Sequence, residues 1–141
     1  MQISIRRLSA DVPMPEYKTP GACAFDIAVM EGVTLPPGGR ALLPTGLVIQ
    51  VPRGHVLILA PRSSNAKKGI RLGNGIGIID QDYCGPTDQL LAAVHNFGDQ
   101  PYTIEKGERI MQGMIVPVIR AEFMEQSEIT GVDRGGFGTT G

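Results

Sequence analysis

The sequence predicts an all-β fold, a sandwich or barrel with at most one short helix. Nineteen glycines and eleven prolines in 141 residues interrupt the chain too often for long helices. Apolar runs of strand length, several rich in β-branched residues, recur about every 8–12 residues with turn residues between them. No internal repeat is visible, and the length is that of one domain able to bury its own core.

Residues 1–8 alternate apolar and polar (QISIRRL), which predicts a strand, and VPMPEYKTPG after it predicts a proline-rich loop. AFDIAVM is a short apolar run with Asp26 at its centre. VTLPPGG is read as a strand end and a turn, and RALLPTGLVIQVP as a strand pair around Pro44 and Gly46. Pro52, Arg53 and Gly54 form a tight turn before the buried strand HVLILAP. The short polar piece SSNAKKGIRLG holds the best candidate for a helical turn, at Ala66 to Lys68. NGIGIIDQDYCG, with glycines alternating with isoleucines, is read as a β-hairpin. LLAAVHN predicts a strand, FGDQP a turn, and YTIEKGERIMQGMIVPVIRAEF a last set of strands broken at Lys106 and Gly107. The closing segment TGVDRGGFGTTG has almost no side chain to pack.

Thirteen Lys and Arg against fourteen Asp and Glu leave a formal net charge of −1. No basic field for a nucleic-acid polymer exists at that balance, whereas a small phosphorylated ligand needs only local charge. No apolar run is long enough for a transmembrane helix, and the N-terminus has no apolar signal region, so no membrane partner is expected. Cys23 and Cys84 are too few for a disulfide framework or a zinc site and read as reduced thiols of a cytoplasmic protein.

Four segments carry residues that are costly in a plain β-domain. PRSSNAKKG brings together the Arg62 guanidinium, the Ser63 and Ser64 hydroxyls and loosely held N–H groups, a set suited to phosphate oxygens. A serine turn capping a helix is the structural alternative. In NGIGIIDQDYCG the glycines leave backbone donors and acceptors open to a flat base. Asp80 ends the apolar run there, where it serves as a general base or accepts from a sugar hydroxyl, or is simply a turn aspartate. In GERIMQ, Arg109 reads as a structural ion-pair partner and Gln112 as the better ligand contact. RGGFGTTG places Phe137 between glycines, as an aromatic lid on a flexible flap or a disordered end would have it. His55 and His95 have no neighbours that make a ligand set, and both read as structural.

In this order the segments resemble the five motifs of the trimeric dUTPase family, within the superfamily that also holds dCTP deaminases. PGACAFDIAV matches the first, PRSSNAKKG the second, NGIGIIDQDYCG the third, GERIMQGMIVPV the fourth and RGGFGTTG the fifth. The resemblance implies a distorted jelly-roll-like β-barrel of the β-clip kind over residues 1–130, with residues 131–141 as a Gly-rich lid. It implies a homotrimer with sites shared among subunits, and Mg²⁺-assisted hydrolysis of dUTP to dUMP and pyrophosphate by water attacking the α-phosphorus. That reaction lowers dUTP and supplies dUMP for thymidylate synthesis. By the same resemblance, Asp80 activates the water and accepts from the 3′-hydroxyl, and Tyr83 lies against the deoxyribose and rejects a 2′-hydroxyl. Asn74 and the hairpin backbone around Ile78 and Ile79 read uracil. Arg62, Ser63, Ser64 and Gln112 bind phosphates, and Asp26 holds magnesium through water. Arg134 reaches the γ-phosphate, while Phe137 and Gly138 close over the base.

Several positions depart from the family pattern. Ser64 stands where glycine is usual, and Cys23, Ala24 and Phe25 precede Asp26 in place of Ala-Gly-Tyr. Pro86, Thr87 and Asp88 lengthen the turn after Gly85, and the spacing from Arg134 to Phe137 is short. Arg-Ser-Ser is typical of the dCTP deaminases, which makes deamination, alone or alongside dUTP hydrolysis, an alternative. Those enzymes carry a glutamate on the strand after the third motif, and LLAAVHN has no acid. A non-catalytic trimer that binds a nucleotide and regulates a partner is the third reading.

Overall fold

A computed structural model of the chain describes residues 1–136 and Gly138. The first half of the described chain holds β1 (Ser4–Arg7), β2 (Phe25–Ala28), β3 (Val33–Leu35), β4 (Arg40–Pro44), β5 (Leu47–Gln50) and β6 (His55–Pro61). After these come the helical turn α1 (Ser64–Lys67) and β7 (Ile70–Leu72), β8 (Gly77–Ile79), β9 (Leu91–Asn96), β10 (Tyr102–Ile104) and β11 (Arg109–Pro117). The fold is all-β with one short helix, as the punctuation of the sequence predicts.

Four antiparallel sheets, ordered β2-β11-β6-β8, β4-β9-β7, β1-β5 and β3-β10, wrap one core in a jelly-roll-like barrel. Side chains alternate across each strand, so Leu57 and Leu59 of β6 point inward, as do Ala92 and Val94 of β9. They meet Ile27, Leu47, Ile49 and Ile110 in a single buried cluster. In β11, Gly113 lies opposite Phe25 of β2 and Leu59 of β6. A Cβ there would lie 2.7 Å from the Phe25 ring and 3.0 Å from Leu57. Gly113→Ala is therefore expected to destabilise the fold by about 1–3 kcal/mol, read as a lowered urea midpoint with unchanged slope.

Three expectations are corrected. NGIGIIDQDYCG is not a hairpin: β8 pairs with β6, whereas β7 before it pairs with β9 in another sheet. The glycines carry the chain from one sheet to the next, and residues 80–90 form turns. RALLPTGLVIQVP likewise makes two strands that do not pair with each other, since β4 pairs with β9 and β5 with β1. Thr45 marks the crossing; it is fully buried, and its hydroxyl donates to the Leu90 carbonyl at 2.8 Å. The last strand stops at Pro117 instead of running to Phe123. Its partner β6 begins at His55, and beyond it the Val118 N–H donates to the Gly54 carbonyl at 2.8 Å. Among the described residues nothing past Pro117 is helix or strand, and Ile119, Phe123, Ile129 and Val132 are more than nine-tenths exposed.

Candidate active site

Most of the predicted site residues fall into two groups at opposite ends of β6. The first is a polar cradle at its C-terminal end. Asp26 lies in β2 directly across from Gln112 of β11, whose amide donates to the Pro61 carbonyl at 3.1 Å. Arg62 leaves β6 and folds back, with Nε 3.0 Å from Asp26 Oδ1 and Nη1 donating to the Arg109 carbonyl at 3.0 Å. Arg109 approaches the other oxygen of Asp26 at 3.5 Å, the structural ion pair expected of it. Ser63 sits at the start of α1, yet its side chain makes no capping bond, which removes the simplest structural explanation for it. Ser64 Oγ, Asp26 Oδ2 and Asn65 Oδ1 are buried, and none has a hydrogen-bond partner. Buried polar atoms are nearly always paired, so Ser64 Oγ and Asn65 Oδ1 keep hydrogen-bonding capacity to spare, while Asp26 Oδ2 has only the 3.5 Å approach of Arg109. Asn65, whose amide also donates to the Ile110 carbonyl at 2.6 Å, was not singled out in the sequence. Its amide in SSNAKKG was the available signal.

The second group lies at the N-terminal end. Ile79 is opposite Leu57, so Asp80 emerges beside Val56 and His55. There it borders an open groove of about 610 Å³ with His55, Ile78, Gln81 and Arg120 among its walls. Ile78 turns outward, 54% exposed, while Ile79 packs on the core, so the exposed face beside Asp80 is apolar. Tyr83 follows, itself exposed, with its hydroxyl donating to the Gln89 carbonyl at 3.1 Å. The Asp80 carboxylate has no ion-pair partner among the described residues. Asn74 borders a different groove of about 520 Å³, with Arg40, Arg71 and His95. His55 Nδ1 lies 3.0 Å from the Arg53 carbonyl, and Arg71 Nε donates to His95 Nδ1 at 3.2 Å across β7 and β9.

From Val56 to Arg62 the strand spans about 20 Å. A base must stand within hydrogen-bond reach of the water it activates, while the cradle must hold the phosphate under attack. The Asp80 groove and the cradle therefore lie about 20 Å apart along β6 within one chain.

A family model described as dUTPase matches residues 10–141. The chain belongs to the dUTPase family. It is 45% identical to a deoxyuridine 5′-triphosphate nucleotidohydrolase of Methylocella silvestris, over all of this chain and 92% of that one. A protein of the same description from Cronobacter sakazakii is 43% identical over 96% and 91% of the two chains. Among solved structures, the dUTPase of Streptococcus mutans superposes with a TM-score of 0.77 at 32% identity, covering 87% of this chain and 100% of that one. The dUTPase of Staphylococcus bacteriophage 80alpha with dUPNHPP gives 0.88 at 27% identity, covering 99% and 98%.

In this member of the dUTPase family the cradle is braced from behind. Lys68 Nζ meets Glu108 Oε1 at 2.5 Å, the Tyr102 hydroxyl donates to the same oxygen at 3.1 Å, and the Glu105 N–H donates to Oε2 at 3.1 Å. The brace ties the end of α1 to the residue before Arg109. Burial pushes the Glu108 carboxyl up, but the bonds from Lys68, the Glu105 N–H and Tyr102 outweigh it and hold Glu108 below its usual 4.5. The bond to Glu108 raises Lys68 above its usual 10.5 against the opposing effect of burial. A lowered acid stabilises the fold above its unfolded value and loses that contribution as pH falls through the folded one. A raised base stabilises below its unfolded value and loses its contribution as pH rises through the folded one. Glu108→Gln is thus expected to cost about 1–2 kcal/mol at neutral pH. In urea titrations the gap to the parent protein should close as pH drops below 4.5.

At the chain end, Arg134 is exposed and Gly138 has a positive φ of 89°. The lid role expected of Phe137 lies outside the described residues. No described helix is long and apolar enough to cross a membrane.

Proposed function

We propose that the protein hydrolyses dUTP to dUMP and pyrophosphate at sites that join the Asp80 groove of one subunit to the cradle of another in a homotrimer. Membership of the dUTPase family makes the chain a dUTP diphosphatase. The observation that carries the finer reading is the Asp80 carboxylate, unpaired on an open groove beside apolar Ile78 and Tyr83. A base there takes the proton of a water as it attacks the α-phosphorus, and the same carboxylate accepts from the 3′-hydroxyl. Tyr83 lies against the deoxyribose, and the backbone of residues 76–79 reads the uracil edge, with Asn74, which borders the other groove, leading into that segment. From the neighbouring subunit Arg62, Ser63, Ser64 and Gln112 neutralise and orient the phosphates. Phosphoryl transfer asks mainly for this kind of positioning and charge compensation. Arg134 and the Gly-rich end, with Phe137 and Gly138, close over the nucleotide.

The residues present fit Mg²⁺. Asp26 Oδ2, which makes no hydrogen bond and has only the 3.5 Å approach of Arg109, would accept from a metal-bound water. When bound, the ion compensates charge developing on the phosphate oxygens.

Product analysis with Mg²⁺ and either dUTP or dCTP tests the reading. dUMP and pyrophosphate from dUTP alone are expected. Ammonia from dCTP would establish a deaminase despite the acid-free strand β9, and no product from either would leave a nucleotide-binding regulator.

A further inference from the structure

The residues that lengthen the turn after Gly85 have a place in the fold that the catalytic scheme does not use. Tyr83 is tethered at two points: its N–H donates to the Asp80 carbonyl at 3.3 Å and its hydroxyl to the Gln89 carbonyl at 3.1 Å. Gln89 is itself fixed. Its side-chain oxygen accepts the Gly46 N–H at 2.8 Å, and the next residue, Leu90, is buried with its N–H on the Leu47 carbonyl at 2.8 Å. Between these anchors the chain must close tightly, and Asp88 closes it. Asp88 Oδ2 accepts the Gly85 N–H at 2.8 Å, and the Asp88 N–H donates back to the Gly85 carbonyl at 3.1 Å. The Gln89 N–H is taken by the Thr87 carbonyl at 2.8 Å. Gly85 is fitted to this carboxylate, since a Cβ there would lie 2.7 Å from Oδ2.

We propose that Asp88 is a positioning residue for sugar selection: the turn it closes fixes the Gln89 carbonyl, and through that carbonyl the Tyr83 ring. The inference rests on the role of Tyr83 proposed above. Rejecting one hydroxyl by contact requires the rejecting surface to stay in place to within a fraction of an ångström. Tyr83 is 39% exposed, so core packing alone does not hold it. Its hydroxyl bond does, and that bond is as rigid as the carbonyl that accepts it.

The test compares kcat/KM for dUTP and for UTP, with melting temperatures taken alongside. Asp88→Ala and Tyr83→Phe are each expected to raise relative UTP turnover about tenfold, the worth of one hydrogen bond. The double variant should show no further rise, because both changes release the same tether. Asp88→Asn keeps an acceptor for the Gly85 N–H and should discriminate like the parent. That result also separates positioning from a general loss of stability if Asp88→Ala folds poorly. Tyr83→Ala is the control. If it relaxes selection while Asp88→Ala and Tyr83→Phe leave it intact, the tether is wrong and the sugar-gate role of Tyr83 stands. If Tyr83→Ala also leaves selection intact, the gate itself is wrong and the proposal falls with it.

Discussion

Asp80→Asn is expected to bind nucleotide about as well as the parent protein while its turnover falls roughly 10³-fold, within the range contributed by a positioned general base. The substitution keeps shape and hydrogen-bonding capacity and removes only the ability to take a proton. Asp80 makes no ion pair among the described residues, and it stands on the rim of an open groove. Its loss therefore leaves no partner uncompensated, and stability should change little. Titration with a non-hydrolysable dUTP analogue, beside steady-state turnover, separates the two quantities. Unchanged turnover would remove Asp80 as the base. Lost binding with lost turnover would make it a ligand contact only.

Mixing two inactive variants should restore activity. Arg62→Gln takes charge from the cradle and is expected to lower turnover by about 10²–10³. The Asp80→Asn chain keeps a sound cradle, and the Arg62→Gln chain keeps a sound groove. If each site draws its groove from one subunit and its cradle from another, equal co-refolding makes about a quarter of the sites complete. The mixture then recovers about a quarter of parental activity from two proteins that have almost none. A site built within one chain would leave the mixture as inactive as its parts. The expectation follows from the length of β6, about 20 Å from its start, beside which Asp80 emerges from β8, to Arg62 just past its end. A monomeric mass at micromolar concentration would also contradict it.

Much of the cradle was legible because its residues are locally odd. Arg62, Ser63 and Ser64 stand together in one polar turn, and Asp26 interrupts an apolar run where a carboxylate needs a reason. The pairing of Asp26 with both Arg62 and Arg109 was not legible, since it depends on β2 and β11 lying side by side. The supposed hairpin misled for a related reason. Alternating Gly and Ile describe a strand with close approaches, and they do not say which strand it joins. Pro86, Thr87 and Asp88 were visible only as extra length until Gly85, Asp88 and Gln89 were seen to bond around Tyr83.

By itself the sequence determined the all-β class, the position of nearly every strand, the family and the residue types able to do the chemistry. These depend on short-range properties: side-chain alternation, turn residues and the chemistry of each motif. Only the tertiary structure decided which strands pair, where the polar atoms are left without partners, and that Asp80 and the cradle lie at opposite ends of one strand. Such facts arise from contacts between residues far apart in the chain, and local pattern carries no record of partner or register.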